Sequence, residues 1–168
     1  MNFENEVLRP AVLRRLSPLA APELQLHVNV SATLAGEQSS VTVGLGKGSP
    51  DLVGTIRFMV RRRFGAQLFA LELKRKALRA GAYCMTCCLP CDEAARSACC
   101  AGSITIIAQR GDAGVLSPEQ ERAHESWSAG GRWVHTVFLP SEAWAAYQES
   151  LNRLRKMGLE PVPVAGRR

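Results

Sequence analysis

The sequence predicts an α+β protein with a central mixed β-sheet flanked by helices, and three observations carry that expectation. Leu24, Leu26, Val28 and Val30 alternate with polar residues, the period-two pattern of a half-buried strand. DLVGTIRFMV (Asp51 to Val60) and QLFALELK (Gln67 to Lys74) are apolar and rich in β-formers. Helical spacing with readable ends recurs elsewhere, most clearly from Ser117 to Ala129 and from Ser141 to Met157.

The elements follow in order. Residues 4–16 place Val7, Ala11, Val12 and Leu16 on one helical face, with Pro10 near the first turn. After the strand that begins at Leu24, Ala35-Gly36-Glu37-Gln38 reads as a turn into a second strand, Ser40 to Leu45. The segment Ser49 to Phe64 fits two patterns. Ser49, Pro50 and Gly65 are helix-boundary residues and Val53, Ile56, Val60 and Phe64 fit helical spacing, whereas Thr55, Ile56 and Val60 are β-branched. These, together with the family resemblance given below, lead us to read it as a strand. The turn Arg61-Arg62-Arg63-Phe64-Gly65 would fold it onto Gln67 to Lys74 as a hairpin, with position 51 opposite roughly position 74. SITIIAQ (103–109) and RWVHTVFL (132–139) are further strands. Ser117, Pro118 and Gln120 stand at N-cap, N1 and N3 of a helix that Gly130-Gly131 ends. The last helix carries Trp144, Tyr147, Leu151 and Leu154 on one stripe and stops at Gly158, leaving a frayed tail.

The 168 residues are enough for one domain with a core of its own, and 46% hydrophobic with 21% charged residues is ordinary for a globular chain. A net charge of +6 favours a polyanionic partner. No apolar run approaches the roughly 20 residues of a membrane span. MNFENEVLRP is too polar for a signal peptide. We therefore expect a cytoplasmic protein, with reduced thiols and no membrane partner.

The hairpin brings chemistry with it. Glu72 and Lys74 project from one face of their strand, and Asp51 lies at the same open end. Two carboxylates and an ammonium there could hold a divalent metal and direct a water at a phosphodiester. Gly48-Ser49-Pro50-Asp51-Leu52-Val53-Gly54, followed by Leu71-Glu72-Leu73-Lys74-Arg75, resembles the PD-(D/E)XK nuclease signature. Leu116-Ser117-Pro118-Glu119-Gln120-Glu121-Arg122 with Gly130-Gly131 resembles its VRR-Nuc branch, the virus-type replication and repair nucleases. The likeness covers roughly residues 1–74 and 115–155.

The resemblance implies a restriction-endonuclease-like core and a Mg²⁺- or Mn²⁺-dependent endonuclease or exonuclease of phage or mobile-element type. Asp51, Glu72 and the Leu73 carbonyl would ligate the metal. Lys74 would orient or deprotonate the attacking water, or steady charge on the phosphate. Gln120 matches the family's active-site glutamine, although it also completes a capping box with Ser117, and one side chain rarely serves both. Glu4, or less well Glu6, matches an N-terminal helical glutamate near the metal, where the macrodipole alone would also favour an acid. The partners implied are structured or branched DNA and a second copy of the chain, in a bacterial or phage-infected cell. Lys47, Arg61, Arg62, Arg63, Arg75 and Lys76 are candidate contacts to the DNA backbone. The glycines around Lys47 fail the phosphate-loop pattern.

The cysteines stand apart from this family's pattern. Cys84, Cys87, Cys88, Cys91, Cys99 and Cys100 have the spacing C-x2-C-C-x2-C-x7-C-C, inside what reads as an insertion over 75–115 of a single nuclease domain. Four of them would suit structural zinc, and an unmetallated thiol loop is the alternative. An iron–sulfur cluster is disfavoured because Pro90 stands where the run needs cysteine. His27, His124 and His135 read as packing or surface residues. Against the nuclease stands a non-catalytic zinc-containing DNA-binding module, and more distantly a regulatory protein built on the cysteines.

Overall fold

The structure is a computed structural model and describes residues 2–16, 24–29, 32–35, 40–43, 45, 48–91 and 103–162. The expected turn at Ala35–Gln38 lies partly outside these residues, as do Lys47, Cys99 and Cys100. The class is α+β, a mixed central sheet flanked by helices. The chain divides into two compact units, each assembled from separated segments. One holds Met1–Pro18, Leu73–Val115 and Thr136–Ser150 and so contains the cysteine-rich stretch; the other holds Leu19–Glu72, Leu116–His135 and Leu151–Arg168. Among the described residues no helix is long and apolar enough to cross a membrane.

In the first unit a π-helical turn, Glu4–Leu8, runs into helix α1, Arg9–Leu16. The wide turn has a cause in the sequence. Pro10 has no N–H to give to a preceding carbonyl, and the neighbouring Arg9 N–H bonds back five residues to Glu4 O. Val7, Leu8, Val12 and Leu16 are buried, the face that the spacing predicted plus Leu8.

The second unit contains most of the main sheet. Strand β1 is Leu24–Val28, and β2 (Ala32–Ala35) with β3 (Ser40–Val43) forms a separate antiparallel pair. Strands β4, Leu52–Val60, and β5, Arg63–Leu73, form the expected hairpin. The strand reading of 49–64 therefore holds, and burial along β4 alternates as a pleated strand requires, with Leu52 and Ile56 fully enclosed.

The register differs from expectation. The turn is two residues, Arg61-Arg62, with φ of 47° and 64°, and Arg63, Phe64 and Gly65 pair with Val60, Met59 and Phe58. Gly65 belongs to the strand because the Phe58 ring lies over it; a Cβ there would come within 2.5 Å of that ring. The shorter turn moves every pair by two positions. Leu52 faces Leu71 as the last pair of the ladder, so in this register the residue next to Asp51 in the count is Glu72 rather than Lys74.

In the first unit β6 (Gly81–Cys84) pairs with β7 (Ile104–Ile107), and sequence reading had missed β6. Helix α2, Pro118–Ala129, precedes β8, Trp133–Val137, which joins the main sheet beside β5. Helix α3, Pro140–Lys156, buries Tyr147, Leu151 and Leu154 as the stripe predicted. Leu159 N–H returns to Leu154 O past Gly158 at φ 72°, which closes the helix. The tail is not simply frayed. Strand β9, Glu160–Pro161, pairs with Met59 and Phe58 at the sheet edge, where a proline lacking N–H is tolerated.

A two-residue hairpin turn with positive φ at both positions suits Asn-Gly far better than Arg-Arg. Replacing Arg61-Arg62 with Asn-Gly should raise stability by about 1–2 kcal/mol, read as an upward shift of the urea midpoint. An unchanged midpoint would argue against this turn.

Candidate active site

The second unit gathers four groups expected or overlooked in the sequence. Asp51 follows Pro50 at the start of β4. Its carbonyl accepts Asn29 N–H (2.8 Å), and the Asn29 amide nitrogen donates to Pro50 O (3.0 Å), so the backbone there is pinned on both sides. Glu72 sits one residue from the end of β5 and has no exposed surface. Asp51 and Glu72 are the residues that follow the last β4–β5 pair, Leu52 with Leu71, at the same end of the hairpin.

Gln120 serves both roles that seemed to compete. Its Oε1 accepts Ser117 N–H (2.9 Å) while Ser117 Oγ accepts Gln120 N–H (3.3 Å), the reciprocal box that starts α2. Its Nε2 donates to Glu72 Oε1. A primary amide has an acceptor end and a donor end, so using the first in the cap turns the second toward the carboxylate. His124, read as a packing or surface residue, is the residue that sequence reasoning passed over. Its Nε2 lies 3.9 Å from Glu72 Oε2, and its side chain is only 14% exposed. The signal was present in the spacing, because positions 120 and 124 share a helix face.

Gly48 explains how α2 comes so near. At φ 85° it takes a conformation that side chains resist, and a Cβ there would lie 2.8 Å from the Glu119 carbonyl oxygen. Gly48 thus allows close backbone contact at the N-terminus of α2. At the other end of α2, Arg132 stacks over Trp127 at 5.1 Å and the Gln67 amide nitrogen donates to Gly131 O (2.7 Å).

The first unit carries the remaining expected residues. Lys74 is largely buried, and its N–H donates to Val137 O (3.0 Å). Glu4 Oε1 accepts Arg75 N–H (3.1 Å), and a Cβ on Gly114 would touch both that oxygen and the Lys74 stem. Glu6 turns instead to its own helix start, where Oε1 accepts Asn2 N–H (2.6 Å). Of the two glutamates, Glu4 is therefore the one beside the segment that follows β5. Arg75 Nε donates to Asp112 O (2.9 Å), and Lys76 pairs with Glu142 at 3.3 Å, so both basic side chains have protein partners. Arg61, Arg62 and Arg63 lie at the exposed tip of the hairpin.

Among the described residues no three His, Cys, Asp or Glu side chains group closely enough to hold a metal. Mg²⁺ asks for less, since one or two carboxylates and retained waters suffice. Asp51 and Glu72 carry oxygen donors of the kind it takes. Cys84, Cys87, Cys88 and Cys91 form no disulfide. They fold into a tight return: Cys88 N–H bonds to Cys84 O, Cys91 N–H to Ala82 O, and Thr86 N–H points at Cys84 Sγ (3.3 Å). Burial, then the neighbouring Cys87 and Cys84, push the Cys88 thiol up to about 12, with Arg14 opposing.

Two outcomes follow from this geometry. Ser117→Ala loses only the cap, about 1 kcal/mol. Gln120→Ala loses the reciprocal bond from Ser117 N–H and a hydrogen bond to a buried charge, so it should cost about 1.5–3 kcal/mol more in urea unfolding. Equal losses would mean that Gln120 does not support Glu72. For Cys88, a thiol whose pKa is raised on folding stabilises the protein below its unfolded pKa near 9, and that contribution is lost as pH rises toward 12. The urea midpoint should fall between pH 8 and pH 10.5, less steeply in Cys88→Ala. Comparison with protein-family models, with curated proteins and with solved structures finds no match for this chain.

Proposed function

We propose that the protein is a metal-dependent deoxyribonuclease with a restriction-endonuclease-like core, hydrolysing phosphodiester bonds in structured or branched DNA. The observation that supports the reading is a fully buried Glu72, bonded by Gln120, at the end of the hairpin where Asp51 precedes the last β4–β5 pair. The net charge of +6 agrees with a polyanionic substrate.

Asp51, Glu72 and the Leu73 carbonyl would hold Mg²⁺ or Mn²⁺. When bound, the ion supplies a polarised phosphate and a water of lowered pKa. Gln120 bonds one oxygen of the Glu72 side chain and His124 lies 3.9 Å from the other, so the carboxylate is oriented before a ligand arrives. Lys74 follows Glu72 by two residues, so the chain itself keeps its backbone within about 7 Å. Its ammonium would offset charge developing on the phosphate or take the proton of the attacking water. Glu4, bonded to the Arg75 N–H, fixes the backbone next to Lys74.

Incubation with Mg²⁺ or Mn²⁺ and a panel of linear, flap and four-way DNAs tests the proposal. The wild type should cut, and Asp51→Ala, Glu72→Ala and Lys74→Ala should each lose at least about 100-fold in rate while still binding DNA in EDTA. Undiminished cleavage by Asp51→Ala would refute it. DNA binding without cleavage in the wild type would favour the non-catalytic binding module, to which the cysteine spacing also lends support. Zinc in that loop would draw on Cys99 or Cys100 beside the described thiols, with about one zinc per chain expected by elemental analysis. Six titratable thiols and no zinc would remove the zinc alone.

A further inference from the structure

The tip of the β4–β5 hairpin has a surface that the cleavage chemistry does not use. Cross-strand partners share a face, and the register makes Met59 and Phe64 such a pair, with Arg57 two residues along β4 on the same face. That face is the less buried side of β4. Phe64 keeps 65% of its surface exposed even though the Arg57 guanidinium stacks over its ring at 5.0 Å. Met59 and Val60 are 40% and 38% exposed. Arg57 stands on this face and Arg61 and Arg62 form the turn beside it, while Arg63 pairs with Val60 on the opposite face, four guanidinium groups within seven positions of the tip. Glu160, opposite Met59 on β9, is an acid at its margin.

An exposed ring in water is unfavourable, and the folded strands do nothing to cover this one. Lone cationic loops bind phosphate without needing an aromatic, and apolar dimer patches do not need four like charges. The combination of a flat aromatic, a stacked guanidinium and surrounding arginines suits one occupant best. Unpaired bases offer π-faces to the ring and phosphates to the arginines, whereas in a duplex those faces are hidden in the base stack. We infer that the Arg57–Phe64 tip is a stacking platform for an unpaired DNA strand, such as a flap or the open centre of a junction. The choice of DNA rests on the nuclease reading; the stacking surface does not. Nine strand residues separate the tip from Asp51, about 30 Å, so the two sites would grip different parts of one branched substrate.

Binding is measured in EDTA, where cleavage cannot occur, by fluorescence anisotropy with a labelled single strand and with its duplex. Phe64→Ala should weaken single-strand binding about tenfold and change duplex binding less than about twofold, with an unchanged salt slope. Because Phe64 is exposed, the variant should fold normally, and Phe64→Trp should keep affinity and show added tryptophan quenching by the single strand. Equal loss on both substrates, or none, would overturn the platform. So would a concentration-dependent increase in mass that Phe64→Ala abolishes, which would make the patch a contact between copies. An RNA strand bound more tightly than the DNA strand would overturn the choice of DNA. Cleavage assays with Mg²⁺ are independent: a platform that binds single strands on a protein that never cuts would sink the nuclease and leave this inference standing.

Discussion

The Glu72 carboxylate is enclosed at the end of an otherwise apolar strand, and the neighbouring segments are built around keeping it there. A buried carboxylate stripped of its partners costs several kcal/mol, so the strand could not end this way without compensation. Gln120 and His124 approach it from adjacent turns of one helix. That helix is held by its own first turn, because the amide that reaches Glu72 also closes the capping box with Ser117. Gly48 then removes the side chain that would keep the start of the helix away from the loop before β4. A carboxylate, a cap and a glycine thus form one linked constraint, and a change in any of them is felt by the others.

The hairpin depends on a second constraint, a turn of two arginines in a left-handed conformation. Longer turns would have been easier for those residues, since each side chain at positive φ is strained. What fixes the short turn is the pairing beyond it. Phe58 needs the space above Gly65, and Leu52 and Leu71 need the same buried layer. With side chains alternating along both strands, an odd shift of register would turn Leu52 or Leu71 out of the interior. The strain at the tip is therefore offset by burial near its base, and the same register brings the ends of the two strands, with Asp51 and Glu72, to one end of the hairpin.

In the first unit a comparable economy surrounds Glu4. A π-helical turn, placed where Pro10 interrupts ordinary bonding, precedes the buried face of α1, and Glu4 satisfies the N–H of Arg75. The tight return from Cys84 to Cys91 is packed enough to keep Cys88 a neutral thiol at physiological pH. Neither feature needs a metal to account for its local bonding.

Much of this was legible in the sequence. Alternation marked β1 as a strand, the Ser-Pro-x-Gln start marked α2, and the Trp144–Leu154 stripe with Gly158 marked α3, because each is a local pattern set by backbone sterics and side-chain period. By contrast, β4 fitted helix and strand alike and was read as a strand from its β-branched residues and the family resemblance. The identity of Asp51, Glu72 and Gln120 as a candidate set was readable as well. Their mutual placement was not. Whether position 51 faces 72 or 74 depends on turn length, and Arg-Arg carries none of the usual signs of a two-residue turn, since the preference for it comes from packing many residues away. That Gln120 could cap its helix and hold Glu72 together, that His124 lies beside the same carboxylate, and that Glu160–Pro161 would add to the sheet edge are all contacts between distant segments. Sequence patterns report what each segment prefers alone; which segments meet is decided only when their buried faces pack.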